Sequence, residues 1–253
     1  MKIVAMMRVR NEARWLREVL QSIQQVTHEI LVFDDHSTDS TPAIARHLGC
    51  TVIHSPFDDS LDETRDKNHL LAAVRERDPH YVLSIDGDEV LERGAGDRVR
   101  KMLHPGFSLY CFPIKYLWND RGHYRADGVY GKYQQWRAFS LVNQSNSLQF
   151  KSTKAGGNFH CGNTPFGLKG AGCLVQCDVL HLGYIDAELR IKKYRWYNEK
   201  DPDNASEDCY RHVAQGDLPE LPADEKFRHG GPLKLFTLPA SKWPIAGSKV
   251  ADI

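Results

Sequence analysis

The sequence predicts an α/β protein: a mostly parallel sheet covered by helices on both faces, followed by a smaller mixed region and an extended C-terminal tail. Three observations carry that expectation. Apolar runs of strand length alternate with helically spaced apolar residues over the first hundred positions. The segments between the runs are long enough for the right-handed crossovers that parallel strands require. Polar and acidic residues follow three of the runs, and a sheet of this kind binds ligands at the carboxyl ends of its strands.

The elements follow in order. Residues 2–9 read as a buried strand, and beyond Glu12 the residues Leu16, Val19, Leu20, Ile23 and Val26 recur at helical spacing. Ile30, Leu31, Val32 and Phe33 form the middle of a second strand over 29–34. Ser40, Thr41 and Pro42 then offer an N-cap and a first-turn proline for a helix that runs to Leu48 and stops at Gly49. A third strand covers 51–53, a third helix 63–77, and a fourth strand 81–85, ending in Asp86-Gly87-Asp88-Glu89. Beyond Leu103 the pattern changes to shorter strands over 108–115, 135–141 and 173–182, with aromatic loops between them and a helix over 184–200. The tail from Leu218 is rich in proline, which predicts extended chain wrapping a surface.

Composition narrows the function. Lys plus Arg and Asp plus Glu both number 33, so no overall attraction to nucleic acid or anionic lipid is expected. With 253 residues, 41% of them hydrophobic, the chain can bury a full core. No run approaches the roughly 18 apolar residues of a membrane span, and Arg8 and Arg10 cut the first apolar run short of a secretory leader. Cys50, Cys111, Cys161, Cys173, Cys177 and Cys209 are scattered through a chain too long to need disulfides. Reduced thiols are therefore expected, in the cytoplasm, free or peripheral at the membrane.

The sharpest local signal is Asp86-Gly87-Asp88, directly after a buried strand. Two carboxylates one residue apart can divide labour, one toward a ribose and the other toward a divalent cation. Magnesium and manganese prefer such hard oxygen donors together with diphosphate oxygens. In many other proteins the same triplet is only a turn.

Four segments occur in one order: Arg10-Asn11-Glu12; Phe33-Asp34-Asp35-His36-Ser37-Thr38-Asp39-Ser40-Thr41; Arg65-Asp66-Lys67-Asn68; and Leu83-Ser84-Ile85-Asp86-Gly87-Asp88-Glu89. Together, over about residues 1–200, they resemble the family 2 glycosyltransferases, most strongly the bacterial branch that includes lipopolysaccharide core transferases. The resemblance implies a Rossmann-like GT-A fold, a nucleoside-diphosphate sugar donor, Mn2+ or Mg2+, and inversion at the anomeric carbon. The change of pattern beyond Leu103 and the proline-rich stretch from Leu218 then divide the chain into a nucleotide-sugar half over 1–103, an acceptor-side half of the same domain over 104–217, and a tail over 218–253. By motif match, Val9, Arg10 and Glu12 lie beside the nucleotide and Asp34 or Asp35 holds the base. Arg65 and Lys67 lie near the nucleotide or diphosphate, Asp86 faces the ribose, and Asp88 binds the metal. His181, in Val179-Leu180-His181-Leu182-Gly183-Tyr184, resembles the family's late His-x-Gly-Tyr segment and would close the metal or diphosphate site.

One departure matters. Trp136-Arg137-Ala138-Phe139 resembles the family's Arg-Leu-Phe-Arg segment, but where the branch usually has His-Glu this chain has His160-Cys161. The base that deprotonates the acceptor is then sought among His160, Asp178, Asp186 and Glu188, with His160 first for its place in the motif and Asp186 second. Cys161, Cys173, Cys177 and His181 also invite zinc. On a continuous strand, however, residues four apart lie about 13 Å from each other, too far to share one ion. Tyr110, Phe112, Tyr116, Trp118, Tyr124, Tyr130, Tyr133 and Trp136 are either a stacking surface for sugar rings or core beneath long loops.

Two other functions use a similar sheet. A sugar nucleotidyltransferase would need a Gly-rich loop after the first strand, where Val9 to Arg14 has no glycine. A non-catalytic nucleotide-sugar-binding module would be expected to lose the acidic triplet. The acceptor stays open among a saccharide, a lipid-linked intermediate, a peptide side chain and a nucleic-acid base, and so does the oligomeric state.

Overall fold

A computed structural model describes residues 1–152 and 161–243. They form two compact units, the first made of 1–89, 96–113 and 134–177, the second of 90–95, 114–133 and the chain from 178 onward.

In the first unit, strands β1 (Ile3–Val9), β2 (Glu29–Asp34), β3 (Thr51–His54) and β4 (Tyr81–Ser84) run parallel in the order β3-β2-β1-β4. Helices α1 (Leu16–Gln24), α2 (Thr41–His47) and α3 (Glu63–Arg75) are their crossovers. The chain works outward from β1 to β3 and then returns to the other side of β1, so the strand order reverses between β1 and β4, the place where open α/β sheets bind ligands. Beyond β4 the sheet turns antiparallel: β8 (Gln134–Ser140) pairs with β4 and β6 (Leu109–Tyr116) with β8. The short β9 (Gly172–Leu174) lies parallel to the start of β6. Helix α1 turns Leu16, Val19, Leu20 and Ile23 inward, as their spacing requires. Val4, Met6, Leu31, Phe33, Leu70 and Val82 close an apolar core on one side of the sheet.

Two local expectations need correction. Ser40 occupies the N-cap position of α2 without a side-chain cap; Asp39 does the capping, with Oδ1 accepting the Thr41 N–H at 2.9 Å. Its other oxygen accepts the Ala13 N–H at 3.1 Å, and Asp39 is placed to serve both because α2 begins against the loop after β1. The run 173–182 is not one strand: a bend at Gln176 separates β9 from β10 (Val179–His181), so the even spacing of Cys173, Cys177 and His181 along a single strand does not exist.

In the second unit β10 runs parallel to residues 114–116 of β6 and lies beside β5 (Glu89–Leu91). Strand β7 (His123–Arg125) pairs antiparallel with β11 (Leu235–Thr237), so the tail joins a sheet as well as wrapping the surface. Between them run α5 (Ala187–Lys200) and α6 (Pro202–Ser206). Helix α5 starts three residues later than its pattern predicts, because the carbonyls of Tyr184 and Ile185 accept from the Arg190 guanidinium at 2.8 and 3.2 Å. Tyr110, Phe112, Trp118 and Tyr130 are core residues, whereas Trp136 is exposed, its indole laid across Gly172 where any Cβ would come within 2.5 Å of the ring.

Candidate functional site

The loops after β1 and β2 are stitched into one surface. Asn11 donates its N–H to Ser37 Oγ at 2.9 Å and accepts the Thr38 N–H on Oδ1 at 2.8 Å, while Glu12 donates its N–H to Thr41 Oγ1 at 2.8 Å. Asn11 and His36 both adopt left-handed backbone, with φ of 56° and 55°. Asn tolerates this conformation readily, and the His36 ring meets the Phe57 carbonyl at 3.1 Å. Much of the second motif therefore acts on the first motif's backbone.

Asp34 ends β2 and Asp35 follows it directly; both are buried, with 3% and 1% exposure. Each uses one carboxylate oxygen: Asp34 Oδ2 meets His54 Nδ1 at 3.1 Å, and Asp35 Oδ2 accepts from Arg8 at 2.5 Å. Among the described residues, Oδ1 of each is buried with no hydrogen-bond partner. A buried acceptor left unmade is costly, and where it persists a ligand is one explanation. Burial holds the Asp35 carboxyl above its ordinary range despite the pull of Arg8.

Arg8 is a functional-region residue the motifs did not single out; its signal was a charge inside an apolar strand. Its Nε donates to Asp66 Oδ2 at 2.8 Å, and Arg65 Nε donates to the other oxygen of Asp66 at 3.0 Å. Asp66 is fully buried and orients both guanidiniums. Arg65 then reaches Asp58 and Ser60, each at 3.1 Å, and Arg10 reaches Asp59 at 2.6 Å, so both arginines tether the segment 58–60. Lys67 faces inward: its ammonium donates to the carbonyls of Cys161 and Gly162 at 2.8 and 3.3 Å and to Asn163 Oδ1 at 2.8 Å. Asn68 pins Phe150 through both its amide atoms.

The acidic turn stands at the end of β4. A side chain at Gly87 would come within 2.7 Å of Glu12 Cγ and 3.1 Å of Val9 Cγ1, so glycine lets the turn close onto both of these sequence-predicted residues. Asp88 is buried, at 7% exposure, and Asp86 is partly exposed. Burial opposes the charge on Asp86, but Arg137 and Lys67 outweigh it and hold the carboxyl below its usual range. Glu89 behaves in the opposite sense, pushed up to about 7 by burial against the pull of Arg137. Val9, Arg10, Glu12, Asp34, Asp35, Arg65, Lys67, Asp86 and Asp88 all belong to this unit.

The remaining candidates lie in the second unit, apart from His160, which lies outside the described residues. His181 ends β10, its ring 4.7 Å from that of Tyr116 and 4.9 Å from that of Tyr184. Asp178 accepts from Lys242 at 3.3 Å, and Lys242 is also paired with Glu92. Asp186 is the N-cap of α5, and Glu188 is exposed in its first turn.

A family model described as glycosyl transferase family 2 matches residues 5–161, more than half of the chain. The chain belongs to that family. Its mixed α/β architecture with a mostly parallel sheet is the family's GT-A fold. Sequence relatives include a TPR repeat-containing protein of Synechococcus elongatus, 34% identical over 38% of this chain and 22% of that protein. An uncharacterised glycosyltransferase of Rickettsia conorii is 31% identical over 39% of this chain and 33% of its own length. A third, from Rickettsia prowazekii, is 28% identical over 59% and 47%. The chain thus spans between 22% and 47% of the length of these curated relatives. Among solved structures, S. aureus TarS residues 1–349 superposes with a TM-score of 0.46 at 14% identity, covering 85% of this chain and 70% of that one. Glucosyl-3-phosphoglycerate synthase from Mycobacterium tuberculosis, in complex with Mn2+, UDP and glucosyl-3-phosphoglycerate, gives 0.35 at 20% identity over 46% and 44%. The family 2 assignment stands on the family match, and the fold on that match together with the strand order.

Proposed function

We propose that this family 2 chain takes a sugar from a nucleoside-diphosphate sugar and transfers it to an acceptor with inversion, in dependence on Mn2+ or Mg2+. The donor reading is carried by the buried, unpartnered Oδ1 atoms of Asp34 and Asp35. An ionised carboxylate only accepts hydrogen bonds, so the group that meets these atoms must donate, as the N–H groups of a nucleobase do. The acidic turn ends β4, two strand positions from β2. That is roughly 10 Å, a separation suited to base at one end and ribose at the other.

Asp88 fits a divalent cation in donor chemistry: it is a buried hard-oxygen ligand, and such ions need only one or two carboxylates when diphosphate oxygens complete the shell. Bound there, the cation would offset the charge that gathers on the departing diphosphate. In this reading Asp34 or Asp35 holds the base, Asp86 accepts from the ribose, and Val9 and Glu12 back the turn. Arg10 and Arg65 meet the diphosphate by exchanging the exposed carboxylates of Asp59 and Asp58, pairs of a kind that contribute little to stability. Lys67 contributes through Asn163 rather than by touching the ligand. For His181 the motif's role toward the metal or diphosphate is kept. The acceptor proton is assigned to His160 first and Asp186 second, with Glu188 behind them; Asp178 ranks last because Lys242 already holds it.

The lipopolysaccharide-core-type branch is supported by the four motifs and the late His-Leu-Gly-Tyr segment. A cytoplasmic site of action, free or peripheral at the membrane, is proposed from the pattern of cysteines; no helix of the described residues is long and apolar enough to cross a membrane. Calorimetric titration of UDP, GDP, ADP and CDP, with manganese and with chelator, tests the reading. One nucleotide is expected to bind more tightly with metal, and its sugar conjugates to be slowly hydrolysed; no binding of any of the four would overturn it.

A further inference from the structure

We infer that Asn163 and Arg137 are positioning residues for Asp86, each clamping one of its carboxylate oxygens and each held in turn by a buried charge. Arg137 reaches across from β8, and its Nη2 donates to Asp86 Oδ2 at 3.1 Å and to Glu89 Oε1 at 2.5 Å. Glu89 Oε2 accepts the Asp86 backbone N–H at 3.2 Å, so one carboxylate ties together the strand end, the turn and the guanidinium. From the other side Asn163 Nδ2 donates to Asp86 Oδ1 at 3.1 Å, while Asn163 Oδ1 accepts from Lys67 Nζ at 2.8 Å. An ammonium can only donate, so Lys67 dictates which way the amide faces and obliges its NH2 to point at Asp86.

The four supporting residues are buried, with exposures of 7% for Arg137, 6% for Asn163, 7% for Lys67 and 0% for Glu89. The Asp86 side chain they converge on is 45% exposed. Stability alone does not require such an arrangement, because buried ion pairs carry a desolvation cost that apolar residues of similar size avoid. What it achieves is a solvent-facing carboxylate held in one orientation, its remaining lone pairs aimed outward. An anchor for a sugar hydroxyl needs that rigidity, and needs it from supporting groups that are themselves locked.

The inference rests on the donor reading, in which Asp86 accepts from a ribose hydroxyl. The test uses whichever of UDP, GDP, ADP and CDP binds the wild type best in manganese, with its 2′-deoxy and 3′-deoxy counterparts. Binding is measured by calorimetry for the wild type, Asn163→Ala, Asp86→Ala, the double variant and Arg137→Lys. Asn163→Ala is expected to weaken the parent nucleotide by about tenfold, the scale of a hydrogen bond to a charged group. The double variant should bind no worse than Asp86→Ala, and the deoxy nucleotide that lacks the hydroxyl held by Asp86 should bind Asn163→Ala and wild type alike. Arg137→Lys, which keeps the charge but loses the planar Nη2 group that bridges the carboxylates of Asp86 and Glu89, should show the same pattern. It keeps the test decisive if thermal melting shows that Asn163→Ala does not fold.

A merely structural role would weaken all three nucleotides equally and would persist in the Asp86→Ala background. That result, or unchanged affinity in Asn163→Ala, would overturn the inference and leave the donor reading standing. Unchanged affinity in Asp86→Ala would overturn the inference together with the ribose role of Asp86, leaving only nucleotide binding by the rest of the site. If none of the four nucleotides binds the wild type, the donor reading fails and this inference fails with it.

Discussion

The two units handle buried charge in opposite ways. In the first, the core around Val4, Met6, Leu31, Phe33 and Val82 is apolar, and most of the buried ionic groups, Asp34, Asp35, Asp66, Lys67, Asp88 and Glu89, gather in and around the loops at the carboxyl ends of the strands, where Arg137 reaches them from β8. In the second, charge sits in the middle of the core. Trp118, 1% exposed, has the Arg125 guanidinium 4.7 Å and the Arg190 guanidinium 4.3 Å from its ring centroid. Arg125 is bonded to both oxygens of Asp127, to Gln215 and to the His212 carbonyl, and Arg190 to both oxygens of Asp217. The difference separates scaffold from site. These guanidiniums are bonded through every nitrogen within their own unit, whereas the first unit leaves carboxylate oxygens of Asp34 and Asp35 unsatisfied.

That contrast can be broken most directly at Arg125. Arg125→Ala leaves Asp127 buried without its main partner and is expected to cost about 3–5 kcal/mol. Hydrogen exchange should show the loss in α5 and in residues 211–217. Unchanged protection there would mean that the second unit's buried charges are not scaffold.

The donor side should respond in the reverse sense. Asp34→Ala, Asp35→Ala and Asp88→Ala are each expected to cost less stability than Arg125→Ala, with Asp35→Ala the costliest of the three because it strands the Arg8 guanidinium, while weakening nucleotide binding by about tenfold or more. Asp88→Ala should in addition remove most of the advantage that manganese gives over chelator. Melting curves and calorimetry on the same samples check both halves, and variants that melt far lower yet bind normally would return these residues to the scaffold.

A third test uses pH. His212 is held down to about 3 from an ordinary value of 6.5, first by burial and then by the neighbouring Arg125 and His229. Above pH 6.5 it is neutral in both the folded and the unfolded chain. As pH falls from about 6.5 toward 3 the unfolded chain takes up a proton that the folded chain refuses, so stability falls by at most about 1.4 kcal/mol per pH unit. Urea unfolding at pH 7.5 and 5.5 should show this slope in the wild type and a smaller one in His212→Gln. The smallest effect is expected at the first unit's rim, where Asp58→Asn should leave the melting temperature unchanged, since Asp58 is exposed and its pairing with Arg65 is open to solvent.

The sequence by itself determined the order of strands and helices through residue 84, the buried face of α1 and the loops that carry the acidic residues. These are local matters: periodicity and strand ends are written in consecutive residues. Only the tertiary structure decided that Asp39 rather than Ser40 caps α2, that Arg8 joins Asp35 to Asp66, and that Lys67 turns inward toward Asn163, 96 positions away. It also decided that Trp118 and Tyr130 are core, because Tyr184 and Val213, distant in sequence, pack with them in one buried cluster. Composition and spacing record which side chains can form a buried pair. Which ones do is settled by which strands and loops become neighbours, and a residue such as Asn163 carries no local pattern that announces its partner.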